Sequence, residues 1–256
     1  MAQSNHKILL QSAYILHQRP YRDTSLLLEV FSPHHGRFGM VARGVRGKRS
    51  RRRALLQPFV PLSLSWSGRG ELVTLTDAEA EGAAPVFAGE VLMSAYYLNE
   101  LLLYLLHRHD PHPELFTYYR YTLGRLSQLG QSQDPGAGQA LQIALRLFEK
   151  QLLQEIGYGL VLDHEVEQGE AIDPAASYRF VLGQGPVAQA PTGPAPNVFQ
   201  GSSLLAFAAH ELDDVQTLRD AKRLTRLVLD HYLGGRQLHS RQLLQELQRG
   251  FAPNRT

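Results

Sequence analysis

Short hydrophobic runs separated by turn-forming residues fill the first eighty positions of the chain. Alternation is clearest at Leu62, Leu64 and Trp66, which would share one face of a strand and leave serines on the other. The breaks between runs contain Arg19-Pro20 and Ser67-Gly68, which favour turns. The pattern predicts strands at residues 7–17, 24–31, 36–43, 59–66 and 70–77. Five short strands in so few residues favour a small barrel, and an OB-fold is a common five-stranded solution.

From about residue 86 the hydrophobic period becomes helical, and helices are predicted at residues 86–108, 113–129, 139–156, 213–233 and 240–249. In the third, apolar residues recur from Leu141 to Ile156 in steps of three or four, and Gly157 follows where a left-handed cap belongs. Ser240 is the expected N-cap of the last helix. The hydrophobic residues 91–106 include Asn99 and Glu100, which favours a buried core helix over a membrane span.

These elements predict an α+β protein with an N-terminal five-stranded OB-fold barrel and an all-helical C-terminal domain. We expect the barrel to occupy residues 1–80 and the helical domain residues 81–256, with a Gly/Pro-rich irregular insertion near residues 163–203. The chain contains no cysteine, which excludes disulfides and thiolate metal sites. The first residues do not resemble a signal peptide, so we expect a cytoplasmic protein.

Charge is distributed unevenly. Residues 1–80 contain 12 Lys/Arg and 5 Asp/Glu, whereas the remaining residues contain 14 and 19. Seven cations and no acid lie between residues 43 and 53, namely Arg43, Arg46, Lys48, Arg49, Arg51, Arg52 and Arg53. Such a segment is either a solvated loop that aids solubility or a phosphate-binding loop, and the density of unpaired cations favours the second. Arginine can clamp phosphates without reading base sequence, and Arg37 could extend the surface.

Other candidate residues allow two interpretations. Tyr21, Phe38, Phe59 and Trp66 could stack on bases, although aromatic residues in a small barrel are more often core, and alternation favours burial of Trp66. On the third helix, Arg146 and Lys150 flank the apolar stripe of Leu141, Leu145 and Phe148. This pattern suits an ordinary amphipathic helix, or a groove for a peptide that ends in hydrophobic residues and a carboxylate.

Nothing in the sequence favours catalysis. The eleven histidines lack the HExxH spacing of a zinc enzyme, and no nucleophile elbow or phosphate-binding glycine motif occurs in a supporting context. A hydrolase that uses His164 with Asp163 or Glu165 is a third functional hypothesis beside DNA binding and RNA binding. We expect no metal, no cofactor and no enzymatic activity.

Several segments, taken in order, resemble the RecO family of bacterial recombination mediators. They include residues 19–26, 44–50, 56–59, 68–72, 97–102, 147–149, 156–159 and 218–223, which together extend across most of residues 15–235. The Ile156-Gly157-Tyr158-Gly159 segment is an example. Each motif alone has low specificity, and the match depends on their order and spacing.

The resemblance implies an OB-fold followed by a helical domain, and binding to single- and double-stranded DNA. It also implies annealing of complementary strands, and action with RecR in the RecF pathway to load RecA on DNA covered by the single-stranded-DNA-binding protein (SSB). The SSB tail would dock on the helical domain, where Arg146 matches a cation that meets the terminal carboxylate. Some members bind zinc through four cysteines after the Gly-Tyr-Gly segment, whereas this chain has Asp163-His164-Glu165 there.

The sequence therefore predicts a nucleoid-associated, non-enzymatic DNA-binding mediator. The alternative is an RNA-binding OB-fold factor associated with ribosomes.

Overall fold

A computed structural model of the chain describes residues 7–47, 52–188 and 195–250, with side chains described as far as residue 246. Five strands form a closed barrel in the order β1-β2-β3-β5-β4. They are β1 (Lys7–Tyr21), β2 (Ser25–Ser32), β3 (Gly36–Ala42), β4 (Leu62–Ser67) and β5 (Leu72–Ala80). Neighbouring strands are antiparallel except β3 and β5, whose parallel pairing joins Gly39 to Leu72. The predicted OB-fold barrel is confirmed.

The barrel core is formed by alternate residues of each strand, as the sequence pattern predicts. Leu62, Leu64 and Trp66 all belong to the buried cluster inside the barrel, together with Phe38 and Met40 of β3. Trp66 is only 3% exposed. The interior of a five-stranded barrel is small enough for side chains to fill it, so these residues hold the strands in register.

A four-residue helix, α1 (Arg52–Leu55), lies between β3 and β4 and was not predicted. The predicted long helices are all present as α2 (Gly89–Leu105), α3 (Pro113–Gln131), α4 (Ala137–Glu155), α6 (Val215–Tyr232) and α7 (His239–Gly250). None of the helices in the described ranges could span a membrane. Gly157 follows α4 with φ +83°, and the Tyr158 amide donates to the Leu153 carbonyl at 2.8 Å, which confirms the left-handed cap.

The expectation of an all-helical C-terminal domain with an irregular insertion needs correction. Residues 163–203 contain a three-stranded antiparallel sheet of β6 (Ser177–Val181), β7 (Gly185–Ala188) and β8 (Val198–Gln200), followed by helix α5 (Gly201–Ala208). Tyr178 and Phe180 alternate on β6 and are buried, as is Phe199 on β8. These strands have three to five residues each and are separated by segments rich in glycine and proline, a pattern that is typical of a loop.

The chain divides into two compact units: residues 1–130 with 238–256, and residues 131–237. The predicted domain boundary near residue 80 coincides with the end of β5 and not with a boundary between these two units. That boundary stays a prediction. In the first unit, helix α7 begins at His239, and the Glu100 carboxylate accepts the His239 and Ser240 amides at 3.0 Å each. A carboxylate from α2 thus caps this helix in place of the expected Ser240.

In the first unit, a buried amide joins the barrel to two helices. The Asn99 side chain on α2 donates to the Leu16 carbonyl of β1 at 2.8 Å and accepts the Tyr119 hydroxyl of α3 at 2.5 Å. Rings of Phe116 and Tyr119 pack on Tyr14 and Phe31, at centroid distances of 5.2–6.3 Å. Burial raises the pKa of the Tyr119 hydroxyl well above its usual value, so it remains a neutral hydrogen-bond donor.

We expect Asn99→Leu to lower the free energy of unfolding by ~1–3 kcal/mol, because the buried Leu16 carbonyl loses its donor from Asn99. Chemical denaturation measures the effect. Gln128→Ala on the exposed side of α3 is the control, with an expected change within ~0.5 kcal/mol. Equal losses in the two variants would contradict a structural role for the amide.

Candidate nucleic-acid interface

Cations gather at the end of the barrel where the β1–β2 turn meets the segment after β3. The Arg46 amide donates to the Thr24 carbonyl at 2.9 Å, and the Arg46 guanidinium donates to the Arg22 carbonyl at 3.1 Å. Arg22 is exposed and lies over the half-buried Tyr21 ring at 5.2 Å. The sequence predicts DNA contacts for Arg37 and for the cations between residues 43 and 53, and gives no signal for Arg22.

Two apolar anchors hold the basic segment against the barrel. Val45, between Arg43 and Arg46, and Leu56, after Arg53, are buried in the barrel core. Arg43, Arg46 and Arg53 are exposed. Burial of these two apolar side chains leaves the guanidinium groups of Arg43, Arg46 and Arg53 in solvent. The predicted residues Lys48, Arg49 and Arg51 lie outside the described residues.

Few carboxylates neutralise these cations. Arg52 pairs with Asp77 of β5 at 3.0 Å, and the two side chains are 49% and 51% exposed. Such a surface pair contributes ~0–1 kcal/mol, so a phosphate can replace the Asp77 carboxylate at little cost. Within the described ranges, Arg43, Arg46 and Arg53 form no ion pair with a carboxylate. This end of the barrel, which we name the basic end (Arg22, Arg43, Arg46, Arg52 and Arg53), therefore keeps its positive charge.

Arg37 does not extend this surface, contrary to expectation. Its guanidinium donates to the Glu29 carboxylate at 2.9 Å and to the Leu106 carbonyl at 3.1 and 3.2 Å. Arg108 donates to the same Glu29 carboxylate. Arg37 is largely buried and fastens the segment after α2 to the barrel, so its donors are occupied by protein acceptors.

Most of the candidate aromatic residues of the barrel belong to its core, as one of the two interpretations predicts. Phe38, Phe59 and Trp66 are buried. Tyr21 is half-buried and lies at the basic end beside Arg22. Of the four, Tyr21 is therefore the ring that is not buried.

The predicted apolar groove on α4 is wrong as described, because its stripe is core. Leu141, Leu145 and Phe148 are buried in the second unit. Arg146 is only 5% exposed and donates to Glu149 at 2.5 Å, while its Nε has no hydrogen-bond acceptor within the described part of the chain. Lys150 donates to the Phe207 and Ala208 carbonyls at 2.9 and 2.8 Å, and burial lowers its pKa. An amphipathic pattern shows only which face is apolar, not whether that face stays open.

The Asp163-His164-Glu165 segment after α4 forms local hydrogen bonds. Asp163 accepts from the exposed His164 ring at 2.8 Å. The Glu165 carboxylate instead accepts backbone amides of Glu167, Gln168 and Glu170. No group of three metal-ligating side chains occurs in the ranges that the structure describes.

Comparisons with known proteins agree with this architecture. Residues 7–83 match the family Recombination protein O N terminal, and residues 87–242 match Recombination protein O C terminal. The chain belongs to the RecO family. It is similar to DNA repair protein RecO of Nitrosococcus oceani, with 47% identity over 95% of each chain. It is also similar to DNA repair protein RecO of Methylococcus capsulatus, at 48% identity over 93% of this chain and 94% of the relative. RecO membership supports a role in DNA repair and recombination.

In this RecO-family chain, Glu165 gives a pH-dependent prediction. Burial alone would raise the pKa of the Glu165 carboxyl, but the amides of Glu167, Gln168 and Glu170 favour the charged form and lower it. Because the pKa is lower in the folded state, this carboxylate stabilises the protein above its unfolded pKa of ~4.3, and the contribution is lost as the pH falls through the folded value.

Denaturation midpoints measured from neutral to acidic pH test the stabilisation by the Glu165 carboxylate. We expect Glu165→Gln to be less stable than the original protein near neutrality, with the difference narrowing below about pH 4. Glu167→Gln, an exposed neighbour, is the control and should differ little at any pH. A constant difference for Glu165→Gln across the series would contradict the assigned role of the charge.

Proposed function

We propose that this protein is a DNA-binding recombination mediator that holds single- and double-stranded DNA at the basic end of its barrel. The observation that carries the proposal is the set of exposed cations Arg43, Arg46 and Arg53, which lack carboxylate partners in the described ranges. Arg22 and Arg52 add to this surface, while the predicted DNA-binding residues Lys48, Arg49 and Arg51 lie outside the described residues.

The expected mechanism is electrostatic. Guanidinium groups bind phosphates and release condensed counterions, so affinity falls with salt at a slope of roughly −0.7 to −0.9 per contact. Neutralising two strands at once removes the repulsion that keeps them apart, and base pairing can then anneal them. Phosphate contacts carry no sequence information, so we expect weak sequence preference. This mechanism needs no covalent chemistry and no cofactor, and we propose that the protein is not an enzyme.

Family membership supports a proposal about specific partner proteins. We propose that the protein acts with RecR, has a functional link to RecF, and helps to load RecA on DNA covered by SSB. A cytoplasmic location at the nucleoid belongs to the same proposal. The competing function, an RNA-binding factor associated with ribosomes, would use the same cations, so DNA and RNA must be compared directly.

Changing Arg43, Arg46 and Arg53 together to Gln should weaken binding of single-stranded DNA and flatten its salt slope by up to about 3 units, because three phosphate contacts are lost. Fluorescence titrations across a salt series measure both quantities. The control replaces Arg179, Arg219 and Arg226, which are exposed on the second unit, and removes the same charge.

An unchanged slope in the first variant, or equal flattening in the control, would reject the basic end as the DNA site. The same titration with RNA of matched sequence separates the two functions. Tighter binding of DNA supports the mediator, and clearly tighter binding of RNA supports the alternative.

We further propose that the SSB tail binds the second unit through Arg146, which requires the ion pair with Glu149 to open. Arg146→Ala should then lower affinity for the tail peptide and leave binding of naked DNA largely intact. Glu149→Gln should raise peptide affinity, because it removes the carboxylate that competes for the guanidinium. Peptide titrations measure both variants, after unfolding curves confirm that each is folded. Unchanged affinity in both would show that the pair serves structure alone.

A further inference from the structure

A pocket opens at the barrel end opposite the basic end. Strand β2 runs from the β1–β2 turn at the basic end to the β2–β3 turn, so roughly 20–25 Å separate the two ends. The pocket encloses about 230 Å³. It is lined by the β2–β3 turn, strands β1 and β3, the β4–β5 hairpin and the segment between α2 and α3, through Ile8, His35, Phe38, Trp66, Arg69 and His109 among others.

Aromatic rings dominate this pocket. Phe38 and Trp66 line the pocket and are otherwise buried, with ring centroids 5.0 Å apart. His35 lies edge-on to Trp66 at 5.1 Å, and the exposed His109 ring stacks over Phe38 at 6.2 Å with an interplanar angle of 21°. The exposed His109 imidazole at the mouth offers both a flat surface and hydrogen-bonding nitrogen atoms.

The rim is cationic and open. Arg69 is exposed between Gly68 and Gly70, both with positive φ, and no neighbouring atom would contact a Cβ at Gly70. The nearby carboxylates are partly engaged, since Glu71 lies 3.8 Å from Arg108 and Asp110 lies 3.4 Å from His112. A cation beside a cluster of rings suits a ligand that joins a phosphate to a planar base.

We propose that this pocket, the ring pocket, binds one unstacked nucleobase of a single strand, with Arg69 on its phosphate. The inference rests on the proposed DNA binding and adds a second point of contact to it. Barrel mouths are frequent ligand sites, and 230 Å³ is below the ~300–1,000 Å³ of pockets for drug-sized molecules, which favours a single planar group. A strand held at both ends would cross the barrel, within the ~4–16 nucleotides that one OB-fold covers.

The only tryptophan of the chain, Trp66, reports directly on the ring pocket. We expect oligothymidylate of about twelve nucleotides to quench Trp66 fluorescence saturably at constant salt. An abasic oligonucleotide of equal length should bind the basic end through its phosphates but leave the emission nearly unchanged. Equal quenching by the two oligonucleotides, or no quenching by oligothymidylate that does bind, would overturn the pocket assignment.

Two substitutions separate the contribution of the base to binding from the contribution of its phosphate. His109 has φ +59°, a conformation that Asn tolerates, so His109→Asn removes the ring without new backbone strain. It should raise the Kd for oligothymidylate about fivefold or more, the fold-change of ~1 kcal/mol of stacking, and leave the Kd for the abasic strand unchanged. Arg69→Ala should weaken the binding of both oligonucleotides. The control is Arg125→Ala, at an exposed position on α3, which should weaken the binding of neither.

Failure of this proposal is distinguishable from failure of DNA binding itself. If Arg43, Arg46 and Arg53 prove necessary for DNA binding but His109→Asn changes no affinity, the ring pocket is rejected and the basic end stands. If the pocket instead accepts an apolar side chain of a partner protein, oligothymidylate will not quench Trp66, and the proposal falls by the same measurement.

Discussion

The first unit of the protein depends on one buried amide. Asn99 satisfies a backbone carbonyl of β1 and holds the hydroxyl of Tyr119, so the barrel, α2 and α3 share a single hydrogen-bonded point. A buried polar side chain is tolerated only when its partners are in place, which makes this arrangement specific for one packing of helices on barrel. In that packing, Tyr14 and Phe31 on the outer surface of the barrel are covered by rings of α3.

This packing limits where a polyanion can reach the barrel. With the outer surface of β1 and β2 partly covered, and Arg37 and Arg108 sharing the Glu29 carboxylate, the middle of the barrel offers few available cations. The two ends differ in chemistry. One presents arginines with few counter-charges, and the other presents imidazoles and buried rings beside Arg69. A strand that used both would be held by charge at one end and by stacking at the other, and only the first contribution should depend strongly on salt.

Much of the fold could be predicted because its signals are local. Alternation placed Leu62, Leu64 and Trp66 inside the barrel, and Gly157 ended α4 as its position suggested. The missed elements lack such signals. The β6–β8 strands contain three to five residues each and are stabilised by pairing with one another, and Glu100 caps a helix that begins 139 residues later in the chain. Contacts of that separation leave no periodicity in the sequence.

The basic residues show why the candidate site could be predicted only in part. A dense run of cations can be recognised in the sequence as exposed, because like charges at such spacing cannot all be buried or paired. A single arginine gives no such indication. Arg37, Arg146 and Arg22 are the same residue type. Arg37 donates to the Glu29 carboxylate and the Leu106 carbonyl, and Arg146 donates to the Glu149 carboxylate, whereas Arg22 is brought to the basic end by a turn. Whether a guanidinium is available to a phosphate is decided by which acceptors the fold brings within 3 Å of it, and that is a property of tertiary structure rather than of residue type.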